Sequence, residues 1–165
     1  MAKPSAEQIE ARLWNAGVTD VEQALLDQYK LYVEMADRIS ARRGLTNTFF
    51  LTLNSAIFTL FGVLWKDKPA DIDDAIVLLL AAVALGQCAA WGILVRSYRL
   101  LNGAKYEVIG LMEKRLPASP YAAEWQALGA LRDWKRYVPL SHAESWVPYL
   151  FGAAYLVGAV ILLAT

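Results

Sequence analysis

The stretch that decides the fold is ARRGLTNTFFLTLNSAIFTLFGVLWK, Ala41 to Lys66. Between Arg43 and Lys66 lie twenty-two residues without a charge. That is long enough for a membrane helix, which needs about 20 predominantly apolar residues. The run is nevertheless sprinkled with Thr46, Asn47, Thr48, Thr52, Asn54, Ser55 and Thr59. On a helix these sort by position. Thr48, Thr52, Ser55, Thr59 and Gly62 are spaced by four and three, which places them on one face. Asn47 and Asn54 flank that face, and Phe50, Leu53, Ile57, Leu60 and Leu64 take the opposite side.

Two further uncharged stretches follow, Ala75–Val95 and Ser145–Thr165. With Gly44–Trp65 they predict three membrane spans joined by an outer loop at 66–74. A soluble protein with three buried helices is disfavoured, because buried helices carry shorter apolar runs of about 10–14 residues. Composition agrees. Hydrophobic residues make up 57% of the 165-residue chain and the mean hydropathy is +0.32, against a soluble average of about 45–50% apolar.

Charge sets the orientation. Fourteen of the sixteen Lys and Arg residues fall before the first span or between the second and third. Only Lys66 and Lys68 lie in the short loop between the first and second. The positive-inside rule then predicts a cytoplasmic N-terminus and a periplasmic C-terminus. The start of the chain lacks the apolar core of a cleavable signal peptide.

The segments at 1–43 and 96–144 are predicted to be cytoplasmic and helical. From Asp20 to Arg43 the stripe Val21, Leu25, Tyr29, Tyr32, Met35 or Ala36, and Ile39 has helical spacing. It points at the first span, with Gly44 as a possible swivel at the junction. The second span continues without proline to about Leu116, carrying Tyr98, Leu101, Val108, Leu111 and Met112. Packing of these two stripes on each other is the expected use. Ser119 and Pro120 are placed to open a short helix in YAAEWQALGALRDW. SHAE at 141–144 has the form of a capping box, with Ser141 as cap.

Catalytic signals are sparse. Neither phosphate-loop, zinc-protease, CxxC nor nucleophile-elbow motifs occur. The single histidine, His142, and single cysteine, Cys88, exclude a His/Cys metal cluster. Arg136 and His142 have the loose R-x4–6-H spacing of HEPN ribonucleases, but Pro139 interrupts the helix that would carry them. Asp71, Asp73 and Asp74 read as a solvated loop capping the second span rather than a cation site. The net charge of zero gives no field for nucleic acid. No enzyme activity, cofactor or metal is expected.

Within the spans, small and polar residues are candidates for helix contacts. Ala82, Gly86 and Ala90 form a line on the second span, with Gln87 beside it. Ala154 and Gly158 form a shorter line on the third. For Thr48, Thr52, Asn54, Ser55 and Thr59 two readings stay open: a tight helix contact, or the lining of water in an oligomer. Lacking charge, such a lining would not be a sharply ion-selective filter.

Extended blocks carry a family resemblance. YKLYVEMADRISARRGLTNTFFLTLNSAIF (29–58), WGILVRSYRLLNGAKYEVIGLMEKRLP (91–117), YAAEWQALG (121–129) and YVPLSHAESWVPYLF (137–151) resemble the bacterial RipA family of octameric membrane proteins. The resemblance implies a multi-pass protein of the bacterial cytoplasmic membrane, assembled as a ring of eight and without enzymatic activity. In one pathogen such proteins support growth inside host cells. More distantly, the chain is similar to the pore-forming accessory membrane protein of type VI-B CRISPR systems, which implies a role in phage defence. The expectation is therefore an all-α, ring-forming, pore-like homo-oligomer whose partners are the lipid bilayer and itself. The alternative is a non-conducting scaffold whose cytoplasmic helices recruit another protein.

Overall fold

The computed structural model describes residues 4–15, 21–67, 73–128 and 140–164. Among these every regular element is a helix: α1 (Ala6–Leu13), α2 (Val21–Asp67), α3 (Asp74–Glu113), α4 (Pro120–Ala127) and α5 (Leu140–Ala164). Residue contacts divide the chain into two compact units. One comprises Met1–Ala41 and Arg99–Val138, the other Arg42–Tyr98 and Pro139–Thr165.

α2 runs for 47 residues, so Gly44 does not end it. The hydroxyls of Thr46, Thr48 and Thr59 bond back to the carbonyls of Arg42, Gly44 and Ser55. Each thus satisfies itself on its own helix, as hydroxyls in apolar surroundings do. α3 starts where Asp73 accepts a hydrogen bond from the Ala75 amide, a side-chain cap of the expected kind. It continues to Glu113, close to the expected Leu116.

α3 buries one seam. Val77, Ala84, Cys88, Trp91 and Val95 are buried in the second unit. The same spacing of threes and fours resumes at Asn102, Lys105, Ile109 and Met112 in the first. This is the repeat of left-handed helix packing. A search for apolar stripes skips two of its members, because Asn102 and Lys105 are polar.

The second unit packs α5 and the corresponding parts of α2 and α3 around Ala84, Cys88 and Tyr155, with Ile57, Leu85 and Phe151 against them. Aromatic rings fill the rest. Phe50 stacks on Trp91 with centroids 5.6 Å apart, and Phe58 on Tyr155 at 4.9 Å. Outside this core the surface is apolar: Leu79, Val83, Ile93, Leu150, Val157 and Val160 are all exposed. Two helices, α3 and α5, are long and apolar enough to cross a membrane. Only 28% and 11% of their most apolar windows are buried within the protomer. A core helix of a soluble protein would hide that surface, since large exposed apolar patches are rare on soluble monomers.

The first unit is built differently. α1 opens with a reciprocal capping box: the Gln8 amide donates to Ser5 Oγ, and the Ser5 amide donates to Gln8 Oε1. Leu25, Ala36, Ile109, Leu111 and Met112 form its apolar core. Glu113 is 1% exposed and accepts from Tyr29 Oη at 3.0 Å, from the Tyr121 amide at 3.1 Å and from the Ala122 amide at 3.3 Å. A carboxylate therefore caps α4, where Ser119 was the expected cap. The Ser119 hydroxyl instead donates to the Glu113 carbonyl, at 3.4 Å.

The expected capping box at 141–144 takes another form. Ser141 is already inside α5, and its side chain lies outside the described set. Glu144 lies 3.2 Å from Arg43 Nε.

Candidate functional site

The polar residues of α2 beyond Ala41 sort into two sets. The first faces the protomer's interior. Asn54 is 0% exposed, and its Oδ1 accepts from Gln87 Nε2 at 2.9 Å and from Tyr155 Oη at 2.9 Å, with Cys88 Sγ at 3.6 Å. Its Nδ2 donates to the Phe50 carbonyl at 2.7 Å. One side-chain oxygen thus gathers donors from α3 and α5 onto α2. Two turns earlier, Asn47 Oδ1 accepts from Trp91 Nε1 at 3.0 Å. Inside a bilayer such bonds fix helix register, since there is little hydrophobic drive between helices.

The second set faces away. Thr48, Thr52, Ser55 and Thr59 are all exposed on the protomer, whereas Phe50, Leu53 and Ile57 across the helix are half-buried. At 100° per residue the stripe is nearly opposite the inward face. A contact with α3 or α5 of the same protomer is therefore not what the stripe makes. Leu45 and Phe49 beside it are exposed, and so is Leu60, expected on the opposite side but lying between the stripe and the inward face.

The small-residue lines also point outward. Ala82, Gly86 and Ala90 are exposed, and a Cβ on Gly86 would meet nothing within 4 Å. Gln87 is half-buried and bonded to Asn54. Ala154 is exposed and Gly158 half-buried; both line a shallow groove of about 230 Å³ with Phe58 and Tyr155. The close approach of α3 and α5 uses a different glycine. A Cβ on Gly152 would lie 3.8 Å from Leu85 and 3.9 Å from Cys88.

In the first unit Glu113 raises the affinity of its partner for a proton. Burial, the hydrogen bond to Glu113 and its negative charge push Tyr29 up to about 12. Tyr121 is raised too, by burial first and then by the nearby Tyr106 and Asp37. Lys105, 7% exposed, has its ammonium 4.4 Å from the centre of the Tyr32 ring. Arg115 sits 3.5 Å over the ring of Trp14. These contacts are structural cation–π pairs. Among the described residues no cluster of three or more His, Cys, Asp or Glu could hold a metal. The Arg136–His142 pair lies outside the residues whose side chains are described.

The model of the octameric membrane protein family (8xMP) matches residues 26–164. The chain belongs to that family. It is thus a membrane protein of a self-associating kind, and the RipA-type resemblance of its sequence blocks agrees with the match. No curated protein and no solved structure matches the chain. The matched span takes in the whole of the second unit up to Ala164 and most of the first, and omits α1.

Proposed function

We propose that the chain forms a homo-octameric, pore-like ring in the bacterial cytoplasmic membrane. Each copy would contribute three spans: α2 from Gly44 to Trp65, α3 from Ala75 to Val95, and α5. The N-terminus is cytoplasmic and the C-terminus periplasmic, following the fourteen cations on the inner side. The role is non-enzymatic. The observation that carries the pore is the outward stripe Thr48–Thr52–Ser55–Thr59. Lipid is a poor neighbour for it, and the protomer does not cover it. A ring that places α2 around its axis gives the stripe water. Without charge, the lining passes solutes with little ionic selectivity. Such a conduit fits a part in stress, phage defence or growth inside a host.

Cysteine substitutions at Thr48, Thr52, Ser55 and Thr59, in a Cys88→Ala background, test the lining. With a water-soluble thiol reagent these positions should react faster than cysteines at Phe50 or Leu53. Equal rates would remove the pore and leave the stripe as a contact between copies.

A second reading has its own observation. α1 and the neighbouring parts of α2 and α3 border a groove of about 1000 Å³ in the first unit, lined by Gln8, Arg12, Leu31, Tyr32, Val108 and Met112. A non-conducting scaffold would recruit a cytoplasmic protein there. Removal of residues 4–15 should then abolish recruitment while vesicle leakage is unaltered.

A further inference from the structure

The face of the second unit between α3 and α5 carries a groove that the protomer leaves unfilled. Its volume is about 490 Å³, and it is lined by Ala89, Gly92, Gly152 and Ala153, with Arg96 and Tyr149 towards the N-terminal end of α5. Small side chains make the groove. At Gly92 a Cβ would stand 3.9 Å from Pro148, so the two helices approach closely at its floor. Ala89 and Ala153 are exposed on its sides.

Three properties define what fits. The walls are apolar, so the occupant is a hydrocarbon. The length is set by the helix: Leu85, which also lines the groove, is eleven residues from Arg96. At 1.5 Å per residue that is roughly 16 Å, about half of a hydrocarbon core ~30 Å thick. The groove is one leaflet deep. At its end Arg96 is exposed and, among the described residues, forms no ion pair. A guanidinium there stands at the level of lipid headgroups and matches a phosphate oxygen pair in geometry and charge.

We propose that the groove holds an acyl chain of an anionic phospholipid of the cytoplasmic leaflet, with the lipid phosphate on Arg96. Tyr149 closes the headgroup end, where amphipathic rings are favoured. The site rests on the reading of α3 and α5 as spans with their Arg96 and Ser145 ends at the cytoplasmic face. Binding there would tie the protein to a charged inner leaflet, and a bound chain would fill the seam between two helices that otherwise meet through glycine.

The test uses the full-length oligomer in mild detergent, with phosphatidylglycerol or phosphatidylcholine added and retention read by native mass spectrometry. Wild type should retain phosphatidylglycerol in preference. Arg96→Gln should lower that retention about fivefold, the worth of one cation beside an anionic surface. Ala153→Phe, which fills the groove without touching a charge, should lower retention of both lipids. Arg42→Gln removes an exposed cation outside the groove and should change neither. An equal loss in Arg42→Gln and Arg96→Gln would overturn the site in favour of general charge attraction. Dissociation of the oligomer by Ala153→Phe with unaltered lipid content would overturn it in favour of a second copy in the groove. Alkaline carbonate separates the two readings. Extraction of the wild type from membranes would sink the spans themselves, whereas a retained protein with indifferent lipid content sinks the lipid site alone.

Discussion

Tyr155 and Asn54 stand 101 positions apart in the chain and meet at 2.9 Å, hydroxyl to side-chain oxygen. The bond joins α5 to α2, and the same oxygen takes the Gln87 amide from α3. Asn54 is therefore a polar side chain through which all three helices of the second unit are tied. In lipid, where apolar contacts alone discriminate poorly between helix registers, such a hub selects one arrangement.

Asn54→Leu removes both bonds to the side-chain oxygen, leaving the Gln87 amide without that acceptor and the Tyr155 hydroxyl with the residue-54 carbonyl at 3.3 Å. At about 0.6–1.7 kcal/mol for each bond between membrane helices, the variant should lose roughly 1–3 kcal/mol. Tyr155→Phe removes one bond and should lose about half as much. Thermal melts of the detergent-solubilised protein read both. A melt of Asn54→Leu at the wild-type midpoint would show that the hub holds nothing together.

The threonines of the outward stripe behave differently. Among the described residues, Thr48 and Thr59 bond to carbonyls of their own helix. Replacing Thr48, Thr52 and Thr59 together by valine should therefore leave the protomer's stability within about 0.5 kcal/mol per site, as for ordinary surface changes. Efflux of a small solute from vesicles should fall severalfold, because an apolar constriction dewets. If the oligomer falls apart instead, the stripe is a contact between copies and the conduit lies elsewhere.

In the first unit Glu113 ties the Tyr29 hydroxyl to the start of α4. Glu113→Ala should free the Tyr121 and Ala122 amides, which it now holds at 3.1 and 3.3 Å. Losing a charged partner at a buried group costs about 1–3 kcal/mol. Amide exchange at these two positions should therefore accelerate about tenfold or more, while α5 is unaffected. Glu113→Gln, which keeps an acceptor, should accelerate them less. Equal exchange in all three proteins would remove the capping role.

The same carboxylate sets an alkaline limit. Tyr29 ionises at about 12 in the folded chain against 10.0 ordinarily, because burial and Glu113 both disfavour the phenolate. A raised folded value means that the stabilisation is complete below pH 10 and is lost as pH climbs from there towards 12. Phenolate absorbance should show Tyr29 among the late-titrating tyrosines, and Glu113→Ala should move its titration earlier without making it ordinary, because burial, the larger cause, remains. A Tyr29→Phe variant with an unaltered titration curve would contradict this.

Much of the fold is legible in the sequence because membrane spans are a strong signal. Runs without charge mark α3 and α5, and Pro120 and Asp73 mark helix starts. Two features are hidden for physical reasons. The seam of α3 includes Asn102, bonded to Ser40 Oγ at 2.8 Å, and Lys105, whose ammonium lies over the Tyr32 ring. Polar residues at core positions break the apolar stripe that periodicity follows, so Leu101, 47% exposed, looks like a better core residue than it is. The cap of α4 comes from Glu113, seven residues before Pro120 and on another helix, beyond the reach of any local capping rule. The polar face of α2 is readable, but not which of its polar residues turn inward. Asn47 and Asn54 lie about 100–130° from the threonines, and only the positions of α3 and α5 decide that the asparagines face them. α1 goes unread in the sequence although Ser5 and Gln8 have the spacing of a capping box, because the eight-residue helix that follows is too short to show a periodic stripe.

Arg43 and Glu144 supply the last test. They approach to 3.2 Å with side chains 19% and 28% exposed, yet the guanidinium nitrogen and carboxylate oxygen are not aligned as a hydrogen bond. The attraction is therefore coulombic, and removing either partner has unequal effects. Arg43→Ala leaves a partly buried carboxylate at the start of the α5 span with no cation beside it. Glu144→Ala leaves an arginine whose long stem lets its charge reach water or headgroups. Arg43→Ala should therefore destabilise more than Glu144→Ala, and the double variant should be more stable than the sum of the singles implies. The coupling in this cycle should fall at about 0.5–3 kcal/mol, the range for residues in contact. High salt should lower it only modestly, because partly buried pairs are screened less than exposed ones. A cycle that closes to within roughly 0.5 kcal/mol of additivity would mean that the two charges ignore each other. In that event Glu144 holds the start of α5 without help from Arg43 on α2.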